Sequence, residues 1–265
     1  MKNIDANHIK QRWHARDKTL NGWLMSPAPF VAELMANAGY DTVTVDLQHG
    51  LHDYASAVAC LQAMQAHGAT VFARVPSNEV SIIGKLLDAG VVGIICPMVN
   101  SAADAKKLVD ACRYPPWGER SFGPTRAMLH AGVASYVERA NEEVIVLVMI
   151  ETREAVENVE QIVATPGLDG VYIGPSDLGL SLGFGTGLDR QEPEMLRAIE
   201  RILEVAHRGG KYAGIHTGGA DYAARMLAQG FDFATLPSDA TMLQTTARAL
   251  VSAARASLQK AAERQ

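Results

Sequence analysis

Short runs of apolar residues alternate along this chain with longer stretches whose apolar positions recur every three or four residues. The first kind reads as buried strands and the second as amphipathic helices. Strand-like runs are expected at 20–24, 42–46, 70–74, 91–96, 144–150, 169–173, 211–216 and 231–236. Helical spacing is expected at 27–39, 54–67, 80–89, 101–112, 134–140, 153–163, 193–208, 220–229 and 241–263, with a polar helical start at 1–18 in which Trp13 is the anchor. Many of the stops are glycines, at Gly39, Gly68, Gly90, Gly209 and Gly230. Continuously apolar strands joined by helical crossovers are the mark of a parallel sheet covered on its faces. Eight strand–helix alternations over 265 residues predict one (β/α)₈ barrel domain spanning 1–265. A doubly wound open sheet is the rival, and the absence of Gly-x-Gly-x-x-Gly after the first strand lowers its dinucleotide-binding form. The irregular, proline- and glycine-rich stretch 113–130 has the length of a lid or binding loop, and a second glycine-rich loop is expected at 179–187.

Composition narrows the function. A net charge of −5, 6% aromatic residues and no long basic run argue against a nucleic-acid groove. No apolar run reaches the roughly 18–20 residues of a membrane span, and the start of the chain is polar. Cys60, Cys96 and Cys112 lack metal-ligand spacing and read as buried free thiols. Together these predict a soluble cytoplasmic protein.

In a (β/α)₈ barrel the chemistry sits where the strands end. The residues there are Trp23, then Asp46 with Gln48 and His49, then Arg74, Pro97 and Met98, Glu151, the run Gly174-Pro-Ser-Asp177, and His216. Each has a structural reading beside a chemical one. Glu151 caps the next helix or binds a cation; Asp177 sits in a Pro-Ser-Asp turn or joins Glu151. Two converging carboxylates suit a hard divalent cation whose other positions go to water and substrate oxygens. Asp46 and His49 make a local turn pair or an acid–base unit. Arg74 neutralises Asp46 or Glu151, or stabilises a reacting anion. Trp23 walls a pocket or packs, and His216 packs in a turn or faces a ligand. His52, Asp53 and His67 read as solvated.

Five segments in order carry a resemblance: Val45-Asp-Leu-Gln-His-Gly50, Ala73-Arg-Val-Pro76, Arg113-Tyr-Pro-Pro-Trp-Gly-Glu-Arg120, Met149-Ile-Glu-Thr-Arg153 and Ile173-Gly-Pro-Ser-Asp-Leu178. Together they resemble the HpcH/HpaI aldolases, metal-dependent class II pyruvate aldolases. The resemblance implies a barrel assembled as a homohexamer, a trimer of dimers, with the last helix exchanged between subunits. It implies a divalent cation, Mg²⁺, Mn²⁺ or Co²⁺, on Glu151 and Asp177. It places a 2-oxo acid near Gly174 and Ser176, an enolate-stabilising arginine at Arg74, and proton movement at His49 with Asp46 behind it. Asp88 matches an acid implicated across a subunit interface, and equally reads as an exposed helix residue. The partners implied are a small 2-oxo acid, pyruvate or hydroxypyruvate, and an aldehyde. The chain departs from the pattern with Gln48 where many members have Glu, Met149 where several have Gln, and His216 where an aliphatic residue is common. A citramalyl- or malyl-coenzyme A lyase is the alternative, disfavoured by the lack of a basic cluster for the coenzyme; a catalytically silent barrel that binds 2-oxo acids is a second.

Overall fold

A computed structural model describes residues 7–131 and 133–262. The described residues form a closed barrel of parallel strands in the order β1-β2-β3-β4-β5-β6-β7-β8. The strands are β1 Thr19–Leu24, β2 Thr42–Asp46, β3 Val71–Arg74, β4 Gly93–Cys96, β5 Ile145–Ile150, β6 Gly170–Ile173, β7 Tyr212–His216 and β8 Phe233–Thr235. The helices are α1 Asn7–His14, α2 Pro29–Ala36, α3 Tyr54–Ala66, α4 Val80–Ala89, α5 Ala102–Cys112, α6 Ala127–Ala131, α7 Val133–Glu143, α8 Arg153–Glu157, α9 Val159–Val163, α10 Pro175–Leu182, α11 Pro193–Arg208, α12 Ala220–Gln229 and α13 Asp239–Ala262. The (β/α)₈ expectation holds, with strand ends moved by no more than two residues.

Successive side chains on a strand point to opposite faces, and this splits the apolar residues into two cores. One set, including Val43, Val45, Val71, Ala73, Ile94, Val146, Val148, Val171 and Ile215, packs outward against the helices. The alternate set, Trp23, Phe72, Ile95, Ile145, Leu147, Met149, Tyr172 and Phe233, fills the barrel interior. The interior is crowded enough to require glycine: a Cβ on Gly214 would lie 2.0 Å from the Phe233 ring. Trp13 of α1 closes the base of the barrel. It stacks on Phe233 with ring centroids 4.9 Å apart, and its Nε1 donates to Thr19 Oγ1 at 2.8 Å.

Four expectations are corrected. The stretch after Asp177 is not a loop from Gly179 onward: α10 runs from Pro175 through Leu182 before the glycine turn. Pro175 occupies its first turn, where a missing N–H costs nothing. The single helix expected at 153–163 breaks at Asn158 into α8 and α9. The segment 113–130, expected to be irregular throughout, holds the start of α6 at Ala127. The solvated reading fails for His52, whose two ring nitrogens are buried without partners, while Asp53 caps α3 and His67 bonds Glu33. The three cysteines are buried and free. Among the described residues no helix is long and apolar enough to cross a membrane.

Candidate active site

The strand alternation that fills the barrel also builds its mouth. Asp46, Arg74 and His216 continue the inward-facing positions of β2, β3 and β7. Glu151 and Gly174 extend the inward positions of β5 and β6 by one step beyond the last strand residue. A cavity of about 240 Å³ opens there, lined by Trp23, Asp46, His49, Arg74, Asp177 and His216 among others. Its size suits a ligand of a few carbons.

Asp46 is the most heavily bonded group. It is fully buried. Its Oδ1 accepts from Arg74 Nε at 2.8 Å and from the backbone amides of Gln48 and His49 at 3.0 and 3.3 Å. Its Oδ2 accepts from Arg74 Nη2 at 2.5 Å and from Trp23 Nε1 at 3.2 Å. Burial alone would raise its pKa, but the Arg74 bonds and charge, with the two amides, hold it below the usual carboxylate range. Arg74 also lies over the Trp23 ring, 4.8 Å from its centroid. With Nε and Nη2 committed to Asp46, the remaining Nη1 has no protein hydrogen bond among the described residues. The sequence offered Asp46 two partners, His49 in a turn pair and Arg74 as a neutralising cation; the structure gives the side-chain pair to Arg74. His49 meets Asp46 only through its backbone N–H, because the turn after β2 carries its side chain to the exposed rim.

Glu151 is 1% exposed. Its Oε1 accepts from the Met98 amide at 2.8 Å, and its Oε2 is buried with no partner. Met98 has φ 55, in the left-handed region that costs a non-glycine residue about 1–3 kcal/mol. That conformation accompanies the aim of its N–H at Glu151. Burial pushes the Glu151 carboxyl up to about 7; the Met98 bond opposes this, nearby Asp177 adds to it, and Arg74 counteracts it. Gly174 leaves the space that Glu151 occupies, since a Cβ there would stand 2.4 Å from Oε2. Asp177 sits in the first turn of α10, beside Ser176, where N–H groups lack helical acceptors. A buried carboxylate oxygen with no donor, beside a second carboxylate, fits a hard cation. Among the described residues no three His, Cys, Asp or Glu side chains gather as a complete cage, so further positions fall to water or ligand. The lining contains no lysine.

His216 reaches the mouth with its edge against Trp23, centroids 4.8 Å apart. Its Nδ1 lies 2.9 Å from the Tyr172 hydroxyl. Burial, and next the Arg74 charge, lower its pKa to about 4, so the ring is neutral at pH 7. Asp88 is not brought to the mouth of its own chain: it lies in the last turn of α4 and accepts from Arg120 Nη2 at 2.8 Å. Sequence reasoning missed Met25, Leu188, Gly218 and Thr241; with Pro237 and Ser238, part of the unusual Pro237-Ser-Asp239 run that follows the eighth strand in the sequence, they line the same cavity. It also missed the hydroxyl network behind His216; the signal available was the polar Asn21, Thr42, Thr44 and Thr235 at inward strand positions.

Fold and mouth define a (β/α)₈-barrel enzyme with a buried carboxylate site. The profile of the HpcH/HpaI aldolase/citrate lyase family matches residues 21–254. A hydroxypyruvate/pyruvate aldolase from Rhizorhabdus wittichii is 44% identical over 94% of this chain and 99% of its own. A 4-hydroxy-2-oxo-heptane-1,7-dioate aldolase from Escherichia coli is 35% identical over 92% and 93%. The crystal structure of an HpcH/HpaI aldolase/citrate lyase family protein from Burkholderia cenocepacia superposes with a TM-score of 0.87 at 30% identity, covering 94% of this chain and 99% of that one. The chain belongs to the HpcH/HpaI aldolase/citrate lyase family. It is accordingly a carbon–carbon lyase.

Proposed function

We propose that this lyase is a class II aldolase that reversibly joins pyruvate or hydroxypyruvate to an aldehyde through an enolate, with a divalent cation held by Glu151 and Asp177. The observation that carries the reading is the Glu151 carboxylate, buried with one oxygen fixed by the Met98 amide and the other without a partner. The names of the R. wittichii and E. coli relatives support the same reaction class. A cation at the carboxylates supplies Lewis acidity to the oxygens of a 2-oxo acid.

The residues of the chain divide the remaining work. Arg74, clamped by Asp46, presents Nη1 to the oxygen on which enolate charge develops. His49, at the rim, moves the proton; a positioned acid or base contributes about 10²–10⁴-fold. The first-turn amides of α10, with Gly174 and Ser176, receive the substrate carboxylate. Trp23 forms the wall that keeps Arg74 flat and excludes water. The lysine-free lining leaves a Schiff-base route without its nucleophile. Exchange of the pyruvate methyl protons in D₂O, followed by NMR, tests the reading without knowledge of the aldehyde. Metal-stripped protein is expected to be inert, and Mg²⁺, Mn²⁺ or Co²⁺ to restore exchange. Exchange that is indifferent to added metal would sink the cation assignment.

The assembly proposed is a trimer of dimers with α13 exchanged between subunits, which would also bring Asp88 to a neighbour's mouth. Supporting it, α13 leaves Leu243, Leu250, Val251 and Leu258 at least 50% exposed. Sedimentation analysis is expected to give six chains; a monomer at micromolar concentration would reject the exchange. A cytoplasmic site of action accords with the three buried free thiols.

A further inference from the structure

The inward strand positions carry a line of polar side chains from the barrel centre to the mouth. Thr42 and Thr44 donate to Asn21 Oδ1 at 2.8 and 3.0 Å. That fixes the Asn21 amide, whose Nδ2 donates to Thr235 Oγ1 at 2.9 Å. The Tyr172 hydroxyl donates to the same Thr235 oxygen at 2.7 Å. A phenol has one proton to give. With that proton on Thr235, the 2.9 Å contact between Tyr172 and His216 Nδ1 is satisfied only if Nδ1 carries the hydrogen. A neutral imidazole protonated on Nδ1 has a bare lone pair on Nε2. His216 Nε2 has no hydrogen bond to protein among the described residues, and the ring lines the mouth cavity. Stacking of Trp23 on Tyr172, centroids 5.9 Å apart, and the edge contact of His216 with Trp23 hold the ring in place.

We propose that His216 Nε2 accepts a hydrogen bond from a substrate hydroxyl adjacent to a carbonyl, and so biases the enzyme toward hydroxylated substrates. This rests on the aldolase reading. The hydroxyl comes either from a 3-hydroxy-2-oxo acid or from a 2-hydroxyaldehyde. The network makes the preference directional. An acceptor-only group, such as a second carboxylate, meets a lone pair and gains nothing, whereas a hydroxyl gains a bond. Tyr172 and Thr235 are positioning residues, since they act through the ring.

The test is His216→Phe, which keeps an aromatic ring and removes the acceptor. Specificity, kcat/KM, is compared for hydroxypyruvate against pyruvate with one aldehyde, and for glycolaldehyde against acetaldehyde with pyruvate. Loss of one hydrogen bond to a neutral group corresponds to about a tenfold change. The hydroxylated member of one pair is expected to fall about tenfold further than its partner, and the pair that responds names the source of the hydroxyl. Equal losses in both members of both pairs, or no loss, would overturn the proposal. Tyr172→Phe is expected to give the same bias in smaller measure. Nitrogen-15 NMR of the unaltered protein near neutral pH provides a reading free of any variant: Nδ1 pyrrole-like and Nε2 pyridine-like. The reverse pattern, or an imidazolium, would also overturn it. Wild-type protein that fails to exchange pyruvate protons with metal present would reject the aldolase reading and the hydroxyl assignment with it, whereas the nitrogen shifts would still report the tautomer.

Discussion

Arg74→Ala is expected to lower metal-dependent pyruvate proton exchange by about 10²–10³-fold, the size seen when one donor to a developing oxyanion is removed. It is also expected to destabilise the fold, because Asp46 would remain fully buried without its cation. Breaking a buried ion pair from one side costs about 3–5 kcal/mol. The lower end applies here, since Trp23, Gln48 and His49 would still donate to the carboxylate. The two effects separate in a double variant. Asp46→Asn combined with Arg74→Met removes the uncompensated charge, so thermal stability is expected to recover while exchange stays lost. Recovery of exchange in that double variant would mean that Arg74 serves only to neutralise Asp46. The pair also sets an acid limit. The Asp46 pKa is held below its ordinary value, so its contribution is present above the unfolded carboxylate pKa and is lost as pH falls through the folded one.

Glu151→Gln is expected to abolish exchange and to weaken Mg²⁺ or Mn²⁺ binding at least 100-fold, yet to stabilise the metal-free protein. The sign follows from the raised pKa. Folded protein holds the Glu151 proton up to about pH 7, whereas the unfolded chain releases it in the ordinary carboxylate range. Between those limits the folded state binds more protons, so metal-free stability falls as pH rises and levels off above about 7. Glutamine removes that slope. Calorimetric titration of the wild type is expected to show metal affinity rising with pH to the same plateau, because cation and proton compete for one carboxylate. Gly174→Ala is the companion variant. Its φ of −101 admits alanine, so the fold should survive, but the Cβ would press on Oε2 at 2.4 Å. Metal affinity is expected to drop about 10–100-fold. An alanine variant that binds metal normally would show that Oε2 is not a ligand.

The parts of the molecule that follow from backbone periodicity were readable in advance. Strands buried on both faces announce themselves as runs such as Ile145 to Ile150, and the charged residue at or shortly after the end of a run marks the rim. Arg74, Glu151 and Asp177 were found that way. The choice among side-chain partners was not. Asp46 had two candidate partners, His49 three residues on and Arg74 on the next strand, and only strand parity decides between them: it turns Asp46 inward to Arg74, while the turn leaves His49 at the exposed rim of the cavity. The helix α10 was hidden by Gly179 within it and by the glycines that follow it. Gly179 lies within it because a Cβ would meet the Gly185 carbonyl oxygen at 2.4 Å, a close approach with no local sequence signature. The polar line from Asn21 to His216 draws on strands β1, β2, β6, β7 and β8, and only barrel closure brings them together.

The aromatic plug at the barrel base governs traffic. The packed interior, with Trp13 seated on Phe233 and Tyr212 beneath it, closes the end opposite the mouth, so the reaction chamber is a cul-de-sac. Two molecules that share it use a single entrance. Whichever binds nearer the floor must enter first and, after the bond is cut, leave last. An ordered kinetic scheme, with the inner product inhibiting competitively against the cleavage substrate and the outer one in a mixed pattern, is therefore the expected consequence of a barrel closed at its base.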